Sequence, residues 1–303
     1  MTILQEDGQS RLVPPAVSAP RGGRWRGGPR WLLLALPVAV FLLAFFAYPT
    51  LIMLGRTFTD FQAPQVSGID NVMWFLDNDV NTTILIRTFV VGSICTLFCI
   101  LLAFPYAYTM TLVSPLVRTL MTAAVLLSML AGILLRNFAW IVLLQRQGLI
   151  NDGLEALGFE RQSFLGTPTA VIIGMTHVLF PFMVLPLYAV LRGIDRRLVL
   201  AAQSLGASPT RAFRQVFLPL SIPGLITGGT LVFVLSLGFF ITPALLGSPQ
   251  QAMISQLMTQ QFTRMSAFGR AGILALVLLL ITLAIVGITQ WLARRSKAYR
   301  GMS

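Results

Sequence analysis

The chain has 303 residues, of which 56% are hydrophobic and 11% charged, with a formal net charge of +12 at pH 7. So few charged side chains cannot cover a water-soluble globule of this length, and most of the chain therefore takes lipid as its solvent. The excess of positive charge does not call for nucleic acid, because the placement of the arginines across a membrane accounts for it.

Residues 1–30 are polar and rich in Pro, Gly and Arg, the composition of a disordered cytoplasmic tail. Apolar runs follow at about 32–54, 82–112, 116–144, 168–193, 220–246 and 271–293. Each is long enough to supply the roughly 20 helical residues that cross a bilayer core. Backbone groups in hydrocarbon must be satisfied internally, and continuous runs of this length exclude barrel strands of about ten alternating residues. The fold class expected is all-α, a polytopic membrane protein with six transmembrane helices over 31–295, closed by a short cytoplasmic tail at 296–303. The first run is too long for the core of a cleavable signal peptide and reads as a retained helix. Cys95 and Cys99, four apart, share one face of the second helix and read as packing residues.

With a cytoplasmic N-terminus, fifteen of the 22 basic residues fall on the inner side, while seven of the ten acids fall outside. The positive-inside rule selects that orientation and puts both termini in the cytoplasm. The outer loop at about 55–81 carries Asp60, Asp70, Asp77 and Asp79 with Phe61, Trp74 and Phe75. A second, at about 145–167, contains Asn151 as the expected cap of a short helix with Leu154, Leu157 and Phe159 on its apolar side. The third runs from Gly247 to Gly269. These half-polar loops suit either a surface that receives another protein or loops that simply pack on the bundle.

The inner stretch Gly193–Gly224 is the most informative. Asp195 is the expected N-cap of a helix starting at Arg196, and Gly206 the residue that stops it. Ser208 and Pro209 then form the N-cap and first position of a second short helix. Small residues Ala201, Ala202, Ser204 and Ala207 surround the bend, with Arg211 and Arg214 beyond it. Such a bend allows close approach by another surface, which a loop that merely returns the chain does not need.

The run Leu200-Ala201-Ala202, then Gly206 with Ala207, Ser208, Pro209 and Arg211, then Val216-Phe217-Leu218-Pro219 resembles the EAA loop of type I ABC importer permeases: Glu-Ala-Ala, three residues, Gly, nine residues, Ile-x-Leu-Pro. Leu200 stands where the family usually has Glu, and so lacks a charge that there helps anchor the loop. The wider stretch 30–295 is similar to the spermidine/putrescine branch through Arg136-Asn137-Phe138-Ala139-Trp140, Gly148-Leu149-Ile150-Asn151, Pro181, Phe240–Gly247, Gln261-Phe262 and Phe268-Gly269. The resemblance implies a type I ABC importer permease fold in a bacterial inner membrane, with residues 194–219 as the coupling loop. It implies as partners a cytoplasmic ABC ATPase dimer, a second permease subunit that is usually a different chain, and a periplasmic substrate-binding protein, besides membrane lipid. It implies alternating access powered by ATP that the ATPase binds, with polyamine as the first cargo and an opine, phosphonate or other small nutrient as the alternative.

No P-loop pattern Gly-x4-Gly-Lys-Ser/Thr is present, since the one lysine is Lys297. No cofactor, catalytic residue or metal set is expected in this chain. An intramembrane enzyme or an ion-coupled transporter would need ionisable groups at membrane depth, and the spans hold no Asp or Glu and the single histidine His177. Candidate path residues are therefore His177, whose other reading is a helix–helix contact, and the aromatics Tyr106, Tyr108, Trp140 and Tyr188, which offer cation–π faces and are equally the usual membrane-interface anchors. Pro181 and Pro186 follow His177 in the fourth span, and Pro223, Gly224, Gly228, Gly229, Gly238 and Pro243 are expected to interrupt the fifth helix, serving both as breaks where backbone lines a cavity and, at the glycines, as points of close helix packing.

Overall fold

The computed structural model describes residues 30–61 and 69–295, so the expected tails at 1–30 and 296–303 lie outside the described residues, except for Arg30, which opens the first helix. The chain forms two units, Met1–Thr50 and Leu51–Ser303. In the first, α1 (Arg30–Leu42) passes through a π-helical turn at Leu43–Ala47 into the start of α2 (Tyr48–Gly55). Phe41 stacks on Phe45 with ring centroids 5.0 Å apart, and the Thr50 hydroxyl donates to the Phe46 carbonyl at 2.7 Å.

The second unit takes up the end of α2 and continues through α3 (Asp70–Leu76), α4 (Asp79–Leu112), α5 (Pro115–Leu130), α6 (Ile133–Leu144) and α7 (Leu149–Ala156). It then runs through α8 (Pro168–Gly193), α9 (Arg196–Ser204), α10 (Pro209–Ala212), a π-helical turn at Phe213–Phe217 and α11 (Leu218–Leu237). Finally come α12 (Ile241–Leu246), α13 (Ile254–Thr263) and α14 (Phe268–Arg295). No strand occurs among the described residues. Helices at Leu36–Phe58, Asp79–Leu112, Pro168–Gly193, Pro209–Leu237 and Phe268–Trp291 are long and apolar enough to cross a membrane, and the pair α5 and α6–α7 makes a sixth crossing if counted as one bent span.

Four expectations need correction. The third span is not one helix over 116–144: it breaks at Ala131-Gly132, where the backbone is extended, and the two parts are bent by 95°. Gly132 is a poor helix former, and the break brings the Asn137–Trp140 face of α6 onto α8. The fifth span ends at Gly238, and α12 is separate from it; by contrast Pro223, Gly224, Gly228 and Gly229 stay inside α11, and Pro181 and Pro186 inside α8. A Cβ on Gly224 would sit 2.9 Å from the Val190 Cβ, and one on Gly228 2.7 Å from the Met183 sulfur, so these glycines serve close helix packing. Asn151 does not cap α7: Gly148 holds that place, and Asn151 is buried within the helix, donating to the carbonyls of Gln145 (3.1 Å) and Gln162 (3.0 Å) and accepting from Gln162 N–H (2.8 Å). The expected second short helix of the bend is the beginning of the fifth span, joined to α11 through the π-helical turn.

The core lies where α4, α8 and α11 meet. In lipid the hydrophobic effect does not drive helix association, so close backbone approach and interhelical polar contacts carry it. Cys95 and Cys99 are fully buried, with their sulfurs 3.8 Å and 3.6 Å from the α8 carbonyls of Ile172 and Thr176. At one end of the unit, Asn71 of α3 is buried and donates to the carbonyls of Thr57 (2.8 Å) and Asp60 (2.9 Å). The start of α14 presses onto the same loop. A Cβ on Gly269 would fall 1.9 Å from the Asp60 oxygen, and one on Gly272 2.5 Å from Thr57 Oγ1.

Candidate functional site

The bend between α9 and α10 is built by local chemistry. Asp195 Oδ1 accepts the Arg197 N–H at 2.9 Å and opens α9. At its far end Gly206 takes φ +91°, while its N–H reaches the Gln203 carbonyl at 2.9 Å and the Ala207 N–H reaches Ala202 at 3.0 Å. This pair of bonds satisfies carbonyls that the helix end leaves open. A Cβ at Gly206 meets nothing within 4 Å, so the backbone conformation, not a clash, demands glycine. Ser208 Oγ then accepts the Arg211 N–H at 3.3 Å, with Pro209 at the first helical position.

Leu205 at the tip is 89% exposed and Leu200, at the position of the departure from the EAA pattern, 59%. Ala201, Pro209, Arg197, Arg211 and Arg214 are exposed as well. The only carboxylate of this segment, Asp195, is already used in capping. Behind the tip lies a cleft of about 350 Å³ whose lining includes Tyr108, Leu112, Leu200, Gln203, Phe213 and Phe217.

Two sets of contacts tie the bend to the spans. Arg196 donates to the carbonyl of Thr111 at the end of α4, and to its hydroxyl at 3.2 Å, a placement that favours a cation at a helix C-terminus. Phe213 and Phe217, within the π-helical turn, stack at 5.5 Å, and the Tyr108 ring meets both edge-on at 5.4 Å and 5.0 Å. Phe104 meets Phe213 edge-on at 6.3 Å. The Val216-Phe217-Leu218-Pro219 portion of the motif thus spans the change from π to α winding. Such turns recur at functional sites, and composition gives no signal for this one.

Of the candidate path residues, the structure joins Trp140 and His177: the indole N–H donates to His177 Nδ1 at 3.0 Å. They line a cleft of about 310 Å³ with Phe98, Leu102, Thr176 and Phe180. Tyr106 is spent elsewhere, donating to the Met121 carbonyl at 2.9 Å and lying edge-on to Phe180 at 5.5 Å. Tyr108 belongs to the aromatic cluster above, and Tyr188 packs half-buried against the core. A separate cleft of about 690 Å³ runs between α4, α11 and α14, with Phe89, Thr96, Gly229, Phe233, Val286 and Thr289 in its walls.

Two residues of this neighbourhood escaped the sequence reading as individuals. Arg136 is half-buried, and its Nε and Nη1 are shielded from solvent without a hydrogen-bond partner. Asn137 is fully buried; its Nδ2 donates to the Ile133 carbonyl at 2.9 Å, and its Oδ1, 3.8 Å from where a Gly174 Cβ would stand, has no partner. The available signal was an ionisable side chain inside an apolar run, where a charge costs about 2.5–3.5 kcal/mol on insertion scales.

On the surface that carries α7, Arg161 bridges Asp152 at 2.9 Å and Glu155 at 2.7 Å, and also donates to the Arg146 carbonyl at 2.9 Å. The Glu155 hydrogen bond leads in raising the Arg161 guanidinium above its ordinary value. Leu149, Leu157 and Phe159 beside it are exposed. No group of three or more His, Cys, Asp or Glu able to hold a metal occurs among the described residues.

Comparison with known proteins gives a consistent result. Residues 92–298 match the model of a family described as the binding-protein-dependent transport system inner membrane component. The spermidine/putrescine transport system permease protein PotB of Haemophilus influenzae is 34% identical over 199 residues, 64% of this chain and 70% of that one. PotB of Escherichia coli K12 is 28% identical over 270 residues, 86% and 97% of the respective chains. Among solved structures, a bacterial alginate ABC transporter in complex with an alginate pentasaccharide-bound periplasmic protein superposes with a TM-score of 0.72 at 21% identity, covering 88% of this chain and 94% of its own. At that identity the likeness speaks for the fold alone.

Proposed function

The chain belongs to the family of binding-protein-dependent transport system inner membrane components, and we propose that it serves there as one permease subunit of a polyamine importer of the spermidine/putrescine class. The fold is that of ABC importer permeases. The likeness in sequence to permease proteins named for spermidine and putrescine supports the cargo.

The single observation that carries the mechanism is the Asp195–Ser208 bend: two capped helix ends meeting at a left-handed glycine, with Leu205 exposed at the tip. In this reading an ATPase dimer on the cytoplasmic side grips residues 194–219 through Leu200, Ala201, Ala202, Gly206, Ala207, Ser208, Pro209 and Arg211. The stretch Val216, Leu218, Pro219 passes the motion into the fifth span. ATP is bound by that partner and no cofactor by this chain, which does no chemistry of its own. Both termini are cytoplasmic, which puts the α7 and α13 loops outside, where a binding protein delivers the cargo. A second permease, a different chain, completes the path past Trp140 and His177.

The test is reconstitution with an ATPase, a second permease and a binding protein from the same organism, followed by ATP hydrolysis with putrescine, spermidine, opines and phosphonates. Stimulation by a polyamine is the expected result. Stimulation only by another ligand overturns the cargo and keeps the machine. Hydrolysis indifferent to every loaded binding protein overturns import itself.

A further inference from the structure

Arg136 stands half-buried in α6, the second part of the bent α5 and α6–α7 pair, with its Nε and Nη1 shielded from solvent and no hydrogen-bond partner for either among the described residues. One turn further along α6, on the same face, Trp140 donates to His177 Nδ1. That bond leaves Nε2 as the proton-bearing nitrogen of the neutral ring, so His177 has a donor left and no free acceptor. Thr176 Oγ1, beside it, is buried without a partner too. Asn137 Oδ1 is a further buried acceptor without a partner, so the cluster holds neutral polar groups of both kinds and one positive charge, and lacks an anion.

The cluster lies well in from the end of α8. His177 is nine residues in from Pro168, or about 14 Å along α8 at 1.5 Å per residue. The chain cannot supply the anion at this level. It contains no Asp or Glu between Asp79 and Asp152 and none after Asp195; Asp152 and Glu155 are engaged with Arg161, and Glu160 is an exposed residue of the loop after α7. A polycation moving past an unpaired guanidinium would be repelled, and a desolvated charge without a partner is unfavourable in any case.

We propose that a carboxylate at membrane depth on the second permease pairs with Arg136, making the α6 face that carries Arg136 and Trp140 part of the contact between the two permeases. The inference rests on the reading that a second permease completes the path. It adds the chemistry of that subunit: its spans carry an Asp or Glu where this chain has none. A second copy of this chain cannot fill the role, because it would bring another Arg136 and spans whose one acid outside α7 is Asp79 at the very start of α4. The negative charge that this half of the path lacks is thereby supplied by the other half, and it neutralises Arg136 against the passing cargo.

The experiment uses the complete transporter purified through a tag on this chain. R136E is expected to lower recovery of the second permease at least tenfold, R136K to preserve it, and replacement of the partner's buried acid by Lys to restore recovery to R136E. R136C is expected to form a disulfide with a cysteine at that acidic position. Thermal unfolding of the R136E chain alone in detergent, unchanged from the parent, separates lost assembly from lost folding. Undiminished recovery with R136E overturns the proposal, as does a wild-type transporter built from two copies of this chain. Intact assembly with loss of cargo-stimulated hydrolysis overturns it in favour of an anionic group on the cargo. A recovery defect that follows the anionic lipid content of nanodiscs, irrespective of the partner's acid, overturns it in favour of a lipid phosphate. If the wild-type chain recovers no second permease at all, the two-subunit reading itself fails.

Discussion

Trp140 and His177 meet through a single hydrogen bond of 3.0 Å from indole N–H to Nδ1, with their rings crossed at 73°. It fixes α6 across α8 just beyond the break at Gly132. Trp140→Phe keeps an aromatic ring and removes the donor. The expected cost is about 1 kcal/mol, seen as a lower thermal midpoint in detergent. His177→Ala combined with Trp140→Phe should cost less than the two single changes added together, because both delete the same bond.

Gly206→Ala places a side chain in open space on a left-handed backbone. The expected penalty is at least about 1 kcal/mol, confined to the bend. Gly206→Asp adds a charge to the tip. It is expected to leave membrane insertion intact while abolishing ligand-stimulated hydrolysis, measured in proteoliposomes beside co-purification of the ATPase. Unchanged values of both would remove the coupling role from residues 194–219.

The aromatic cluster allows a sharper separation. Phe213→Leu and Tyr108→Leu each delete edge-on contacts of about 0.5–1.5 kcal/mol without touching the exposed tip. ATPase recovery is expected to stay at the parent level, while cargo moved per ATP hydrolysed falls. Equal loss of both quantities would mean that the cluster serves only to hold the bend together.

Two glycines of α14 give a matched pair. Gly269→Ala would set a methyl group 1.9 Å from the Asp60 carbonyl, so the backbone must move. The expected cost is about 1–3 kcal/mol, with earlier proteolysis of the 56–71 stretch. Gly287→Ala meets nothing within 4 Å and is expected to stabilise by about 0.5–1 kcal/mol, the helical preference of alanine over glycine. Thermal unfolding of the two variants side by side checks both signs.

The features legible in the sequence are those decided within a few residues. Asp195, Gly206, Ser208 and Pro209 take their expected capping and bend positions because each acts on a backbone group no more than four residues away. The existence of five of the six spans is likewise legible from length and apolarity, although the fifth runs over Pro209–Leu237 and not 220–246. The break at Ala131-Gly132 was not legible, since the run reads as apolar on both sides and the bend follows from where α6 meets α8. Asn151 has the chemistry of a cap, yet its burial against Gln145 and Gln162 depends on a loop fold that no local pattern encodes. Tyr106 likewise offers the same ring to a path or to packing, and its bond to the Met121 carbonyl is a tertiary fact.

The clamp formed by Asn71, Asp60 and Gly269 has a consequence for biogenesis. The loop that follows α2 leaves the ribosome early, yet the glycine it packs against is made about 200 residues later, near the end of synthesis. Until α14 has entered the bilayer, Asn71 can hold the Thr57 and Asp60 carbonyls but nothing covers them. That face of the bundle is therefore completed last, and a chain truncated before Gly269 would display an unfinished surface to the membrane's quality-control proteases.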